Sequence, residues 1–115
     1  MMKKLFTEVV NLENKEYELA SKSHGATNNS SHESFAVLQE ELDEARSECI
    51  NTELYAQRYW EAVKSNDLEK QRKCLKKIQL TAELAACEFI QTAAMAHKAL
   101  VTLDTKGSKT QQGDI

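Results

Sequence analysis

The sequence predicts an all-α fold, and three observations support that class. Proline is absent from the 115 residues and glycine occurs only three times, so few residues would interrupt a helix. Apolar side chains recur every three or four positions along three long stretches, the period of one helical face. Short polar segments with helix-start signatures separate those stretches. The expected architecture is a long antiparallel helical hairpin plus an N-terminal helix, assembling into an oligomeric helical bundle.

The first helix is expected over residues 3–22, with Leu5, Val9, Leu12 and Leu19 on one stripe, and "SKSHGATNNSS" ends it. Ser30 with Glu33 forms a capping box, two polar side chains placed to satisfy the open N–H groups of a helix start. The second helix then carries Phe35, Leu38, Leu42, Ala45 and Cys49 and continues through Leu54 and Trp60 to Val63. In "KSNDLEK", Asn66 with Glu69 offers a second capping pattern. The third helix carries Leu75, Ile78, Ala82, Ala85, Phe89, Ala96, Leu100 and Leu103. Residues 1–104 form one domain, and 105–115 are expected to be a disordered tail with little to bury.

Charge and composition narrow the functional classes. With 15 Lys+Arg against 18 Asp+Glu, the chain lacks the basic surplus of a generic polyanion binder, so nucleic acid is not an expected partner. The lysines near the N-terminus suggest a leader, but Glu8, Glu13 and Glu16 interrupt the apolar residues that follow. No run is long and apolar enough to span a bilayer. Three cysteines, Cys49, Cys74 and Cys87, without C-x-x-C spacing, suggest neither a disulfide framework nor a zinc site. A cytoplasmic protein without membrane association is expected. Glu-x-x-His spacing is absent, which removes carboxylate-bridged iron chemistry.

The acidic stretch "SSHESFAVLQEELDEA" carries the functional signal. In isolation "EELDE" is a solvated helix face. A turn centred on Asn66, however, brings Glu44 level with Glu88 and Glu41 level with Gln91. At about 100° per residue, Glu41 lies roughly 80° and Glu44 roughly 140° from the apolar direction of the second helix. Glu88 and Gln91 are displaced by about the same angles on the third helix, so the acids converge on one flank. Val37, Leu84 and Met95 share that flank, which makes it the wall of a partly enclosed groove. Crowded carboxylates there would repel or hold protons unless a divalent cation compensates them. Oxygen ligands without Cys or His favour Mg²⁺, with Mn²⁺ as an alternative.

The segments "HESFAVLQEELDEA" (32–45) and "ACEFIQTAAMAHKAL" (86–100) resemble the MazG-like all-α nucleoside triphosphate pyrophosphohydrolases, which pair an E-E-x-x-E helix with a later E-x-x-D helix around magnesium. Glu40, Glu41 and Glu44 match the first motif. Glu88 matches the first acid of the second, and Gln91 stands in place of its Asp. The resemblance implies hydrolysis of a nucleoside or deoxynucleoside triphosphate to the monophosphate and pyrophosphate. By the same resemblance Glu41, Glu44, Glu88 and Gln91 are the metal ligands, and Glu40 orients the attacking water or binds a second ion. Gln91 brings an amide oxygen but no charge. The alternative is therefore a catalytically weakened relative that binds nucleotide or a protein partner without turnover.

Other features are expected to be structural. "KQRKCLKK" (70–77) reads as a solvated face, with a phosphate grip on a neighbouring subunit as the alternative. His32 reads as a helix-start contact, with a substrate contact as the alternative, and His97 and Lys98 as exposed positions without a specific task, with approach to a substrate as the alternative. Tyr55, Tyr59 and Trp60 read as core or oligomer contacts. Three helices of this length expose more apolar edge than one chain covers, so a homo-oligomer, dimer or tetramer, is expected.

Overall fold

The computed structural model describes residues 1–113, with side chains described through Thr105. It contains three helices, α1 (Met2–His24), α2 (Ser31–Lys64) and α3 (Leu68–Gly113), and no strand among the described residues. No helix is long and apolar enough to cross a membrane. The expected tail falls largely outside the described side chains, while α3 itself is helical to Gly113. The chain divides into two compact units, one formed by Met1–Glu41 and Ile90–Ile115, the other by Leu42–Phe89.

In the first unit α1 stops at Gly25, whose φ of 88° lies in the region open to glycine, and whose N–H donates to the Ser21 carbonyl at 2.9 Å. The connection to α2 is pinned by its polar groups. Asn28 is buried; its backbone N–H donates to Thr102 Oγ1 and its Nδ2 to Ser34 Oγ, both at 2.8 Å. Thr102, only 1% exposed, donates in turn to the Lys98 carbonyl. The expected capping signature at the start of α2 is present in altered form. Ser30 Oγ accepts from the Glu33 N–H at 3.1 Å, but the Glu33 carboxylate reaches back to the backbone and side-chain nitrogens of Asn29 rather than to Ser30.

α1 packs on a different face from the one its leucines predict. Leu5, Leu12 and Leu19 are exposed, and no residue of the helix is fully buried. Val9, Glu13, Glu16, Tyr17, Ala20 and Ser21 are the half-buried positions. The physical reason lies across the contact, where α3 presents Gln91 and His97, polar groups that require partners when covered. Glu16 and Glu13 supply them.

In the second unit the turn is built by two adjacent polar residues. Asn66 takes a φ of 56°, its N–H donates to the Val63 carbonyl, and the Asp67 N–H donates to the Ala62 carbonyl. These are the two bonds of a Schellman C-terminus, with Asn in the left-handed position. Asp67 then begins α3, its Oδ1 accepting from the Lys70 N–H at 3.0 Å. The cap therefore falls one residue later than the Asn66/Glu69 pattern predicts, because Asn66 is already engaged in ending α2.

The two segments of this unit meet along small and polar side chains. One row of buried and half-buried residues runs through Ala45, Glu48, Thr52, Tyr55, Tyr59 and Ala62 on α2, with Leu42, Cys49 and Val63 half-buried beside it, and another through Gln71, Cys74, Ile78, Thr81, Ala85 and Glu88 on α3. Both rows alternate steps of three and four, the spacing of a close helix seam. Thr52 donates to Thr81 at 2.8 Å and Gln71 to the Ala62 carbonyl at 3.4 Å, so contacts advance along one segment as they retreat along the other. The predicted α3 stripe shares Ile78 and Ala85 with this seam, but Leu75, Ala82 and Phe89 face outward. The seam is rotated by about 60° from the apolar stripe. Small residues at the contact allow close approach, and the larger apolar side chains stand on the outer surface.

Candidate functional site

Glu40, Glu41 and Glu44 lie within little more than one turn of α2, and Glu88 and Gln91 lie one turn apart on α3. Neither helix breaks there, because both stretches are rich in good helix formers and lack proline and glycine. Glu40 and Glu44 are exposed, whereas Glu41, Glu88 and Gln91 are half-buried.

Within the second unit, the Glu44 and Glu88 side chains are hydrogen-bonded to each other. Two carboxyl groups form such a bond only when one carries a proton. Burial, then the bond to Glu44 and the negative charge of Glu44 and Glu48, raise the Glu88 carboxyl above its ordinary value. Crowding of acidic side chains acts in this direction.

Within the first unit, Gln91 Nε2 donates to Glu16 Oε2 at 2.8 Å. That bond fixes the amide so that its carbonyl oxygen is left for another partner. Gln91 and Glu41 both line a cavity of about 350 Å³ whose apolar wall includes Ala20, Val37 and Met95. Nearly two turns further along α3, His97 Nδ1 lies 2.8 Å from Glu13 Oε2, and its ring stacks on Tyr17 at 3.9 Å between centroids.

Several expectations about individual side chains change here. Lys98, read as exposed, is only 6% exposed and lines the same cavity. Its position on the face of α3 that carries Ala94 and Thr102 turns it inward. His97 is half-buried and paired rather than idle. His32 is exposed, and the charged side chains from Lys70 to Lys77 are exposed as a solvated face requires. Of the aromatic trio, Tyr55 and Tyr59 lie on the seam while Trp60 faces outward beneath Lys64.

Glu13, Glu16, Tyr17, Asn28 and Thr102 did not stand out in the sequence. A usable signal existed for the first three, since positions 13, 16, 17 and 20 form one helical face that is more polar than the leucine stripe beside it. Asn28 sits in "TNNSS", which has the composition of an ordinary linker. No family model, curated protein or solved structure matches this chain.

Proposed function

We propose that the protein is a magnesium-dependent nucleotide pyrophosphohydrolase of the MazG-like kind, hydrolysing a nucleoside or deoxynucleoside triphosphate to the monophosphate and pyrophosphate. The contact between Glu44 and Glu88 carries the proposal. Two acids far apart in the chain, belonging to the two motifs, meet through a side-chain hydrogen bond, and the Glu88 carboxyl is raised by that crowding, which a divalent cation would relieve.

The donor set fits such an ion. Glu41, Glu44 and Glu88 each offer a carboxylate oxygen, Gln91 adds an amide oxygen, and all are hard ligands suited to Mg²⁺ or Mn²⁺. When bound, such a cation neutralises charge on the substrate's phosphate oxygens. Glu40 orients the water that attacks the α-phosphorus as the bond to the departing pyrophosphate breaks. Gln91, held by Glu16, keeps its oxygen oriented without adding charge.

In this proposal the α2–α3 pair forms a long antiparallel hairpin, and copies assemble through their outward apolar faces. Leu5, Leu12 and Leu19 on α1, with Phe35, Leu100 and Leu103, are exposed in the single chain and would be covered in a dimer or tetramer. A second reading is favoured by one observation. Gln91 is neutral and its amide nitrogen is committed to Glu16, which suits a relative that binds nucleotide without turnover.

The test is pyrophosphate release across the common nucleoside triphosphates with Mg²⁺ or Mn²⁺. Release that disappears in a Glu41→Ala, Glu44→Ala double variant is the expected result. Nucleotide binding without release from any substrate would overturn the enzyme in favour of the binding protein.

A further inference from the structure

The cavity beside Glu41 and Gln91 contains a second polar pair at its other end. Lys98 and Asn28 both line it, and both are more than nine-tenths buried, at 6% and 4% exposure. The Lys98 ammonium forms no ion pair or hydrogen bond among the described residues. Asn28 uses its backbone N–H on Thr102 and its Nδ2 on Ser34, which leaves its side-chain carbonyl oxygen as an uncommitted acceptor. Among the described residues, Ser21 Oγ is the side-chain polar atom that is both sealed and unpartnered. The Lys98 ammonium and the Asn28 oxygen are therefore not sealed, and both residues line the cavity. A ligand that displaces solvent there would have to match both atoms, since burying either unmatched is costly.

Thr102 holds the two residues together. It accepts from the Asn28 N–H and donates to the Lys98 carbonyl, both at 2.8 Å. Lys98 and Asn28 thus bring a donor and an acceptor to the lining of a cavity whose remaining wall includes the apolar side chains of Ala20, Val37 and Met95. At about 350 Å³ it lies near the lower end of small-molecule sites, which run from roughly 300 Å³ upward. An anion is the poorer match for the lysine, because Glu33 and Glu41 line the same space and would repel it. A neutral carbonyl oxygen meets no such penalty. Lys98 also lies two turns beyond Gln91 on α3, roughly 10 Å along the axis.

The geometry points to this cavity as a nucleobase pocket selective for a lactam edge, the Lys98 ammonium donating to the ring oxo group and the Asn28 carbonyl accepting from the adjacent ring N–H. Uracil, thymine, guanine and hypoxanthine carry that edge. Adenine has no oxo group, and cytosine has no ring N–H beside its own. This inference builds on the nucleotide proposal above by naming the class of base, but it can be tested without metal or turnover.

The experiment measures binding of free nucleosides to the full-length protein in metal-free buffer, by calorimetry or protein-observed NMR. The probes are uridine, inosine, 3-methyluridine, 1-methylinosine, adenosine and cytidine. Uridine or inosine is expected to bind, with its N-methylated analogue and the bases lacking the edge weaker by about ten- to a hundredfold, the range of one lost hydrogen bond to a buried or charged partner. Lys98→Met is expected to abolish the preference, with melting curves showing that it folds. Equal binding of all six nucleosides, or of none, would overturn the assignment. So would a folded Lys98→Met protein that still prefers uridine or inosine. Because phosphate, metal and chemistry are absent, selective binding alongside failed pyrophosphate release would leave the pocket standing and remove only the enzyme.

Discussion

Replacing Asn66 tests the turn that sets the register between Glu44 and Glu88. Asn66 sits at φ 56°, a left-handed conformation that costs a residue with a Cβ about 1–2 kcal/mol and that asparagine tolerates better than most. The two backbone bonds closing the end of α2 use the N–H groups of Asn66 and Asp67, so they survive a side-chain change. Asn66→Ala should therefore lose about 1 kcal/mol through backbone strain alone. Asn66→Gly should be neutral or slightly stabilising, since glycine has no Cβ to strain. For a domain of this size a loss of 1 kcal/mol lowers Tm by about 4 °C, readily seen by circular dichroism. Asp67→Ala should cost a further ~1 kcal/mol by removing the cap on the Lys70 N–H, although adjacent changes need not add. If Asn66→Gly lowers Tm as much as Asn66→Ala, side-chain bonding rather than φ dominates and the reasoning fails.

Other predictions concern the acids, the buried polar chain and the outer faces. Because the Glu88 carboxyl is raised in the folded protein, the native state binds more protons than the unfolded chain between the ordinary carboxylate range and the raised value. Stability should fall as pH rises through that window. Urea midpoints of the wild type should show this loss, Glu88→Gln should flatten it, and an unchanged slope in the variant would contradict the assignment to Glu88. Thr102→Val removes the acceptor for the buried Asn28 N–H and should cost about 1–3 kcal/mol, measured by chemical denaturation; a neutral result would mean that the connection before α2 is held otherwise. Replacing Leu5, Leu12 and Leu19 together with glutamate should leave helicity intact but reduce the mass seen by light scattering, whereas unchanged mass would remove α1 from the subunit contact.

The three helices follow directly from apolar period and the scarcity of breakers, and the predicted starts and stops of α1 and α2 lie within two residues of those observed. Packing faces were less legible. Periodicity locates the most apolar stripe, but the α2–α3 seam forms where small side chains permit close approach, so Thr81 and Cys74 lie inside while Leu75 and Phe89 lie outside. For α1, polar groups on α3 decided the contact, and a hydrophobic count gives no weight to Gln91 seeking Glu16. At the candidate site, the spacing about Asn66 anticipated the meeting of Glu44 and Glu88. The cavity did not announce itself, because Asn28 lies in an unremarkable polar loop and a lone lysine after "AAMAH" carries no sign of burial. Both depend on Thr102, distant from Asn28 in sequence, which no local pattern connects to it.

The cation itself is the most direct test. Crystals soaked with Mn²⁺ should show anomalous density bonded by carboxylate oxygens of Glu44 and Glu88, and Glu88→Gln crystals should lose or weaken that peak. Glu44 and Glu88 still sharing their hydrogen bond at saturating Mn²⁺, with no anomalous peak beside them, would contradict a metal centre at this position.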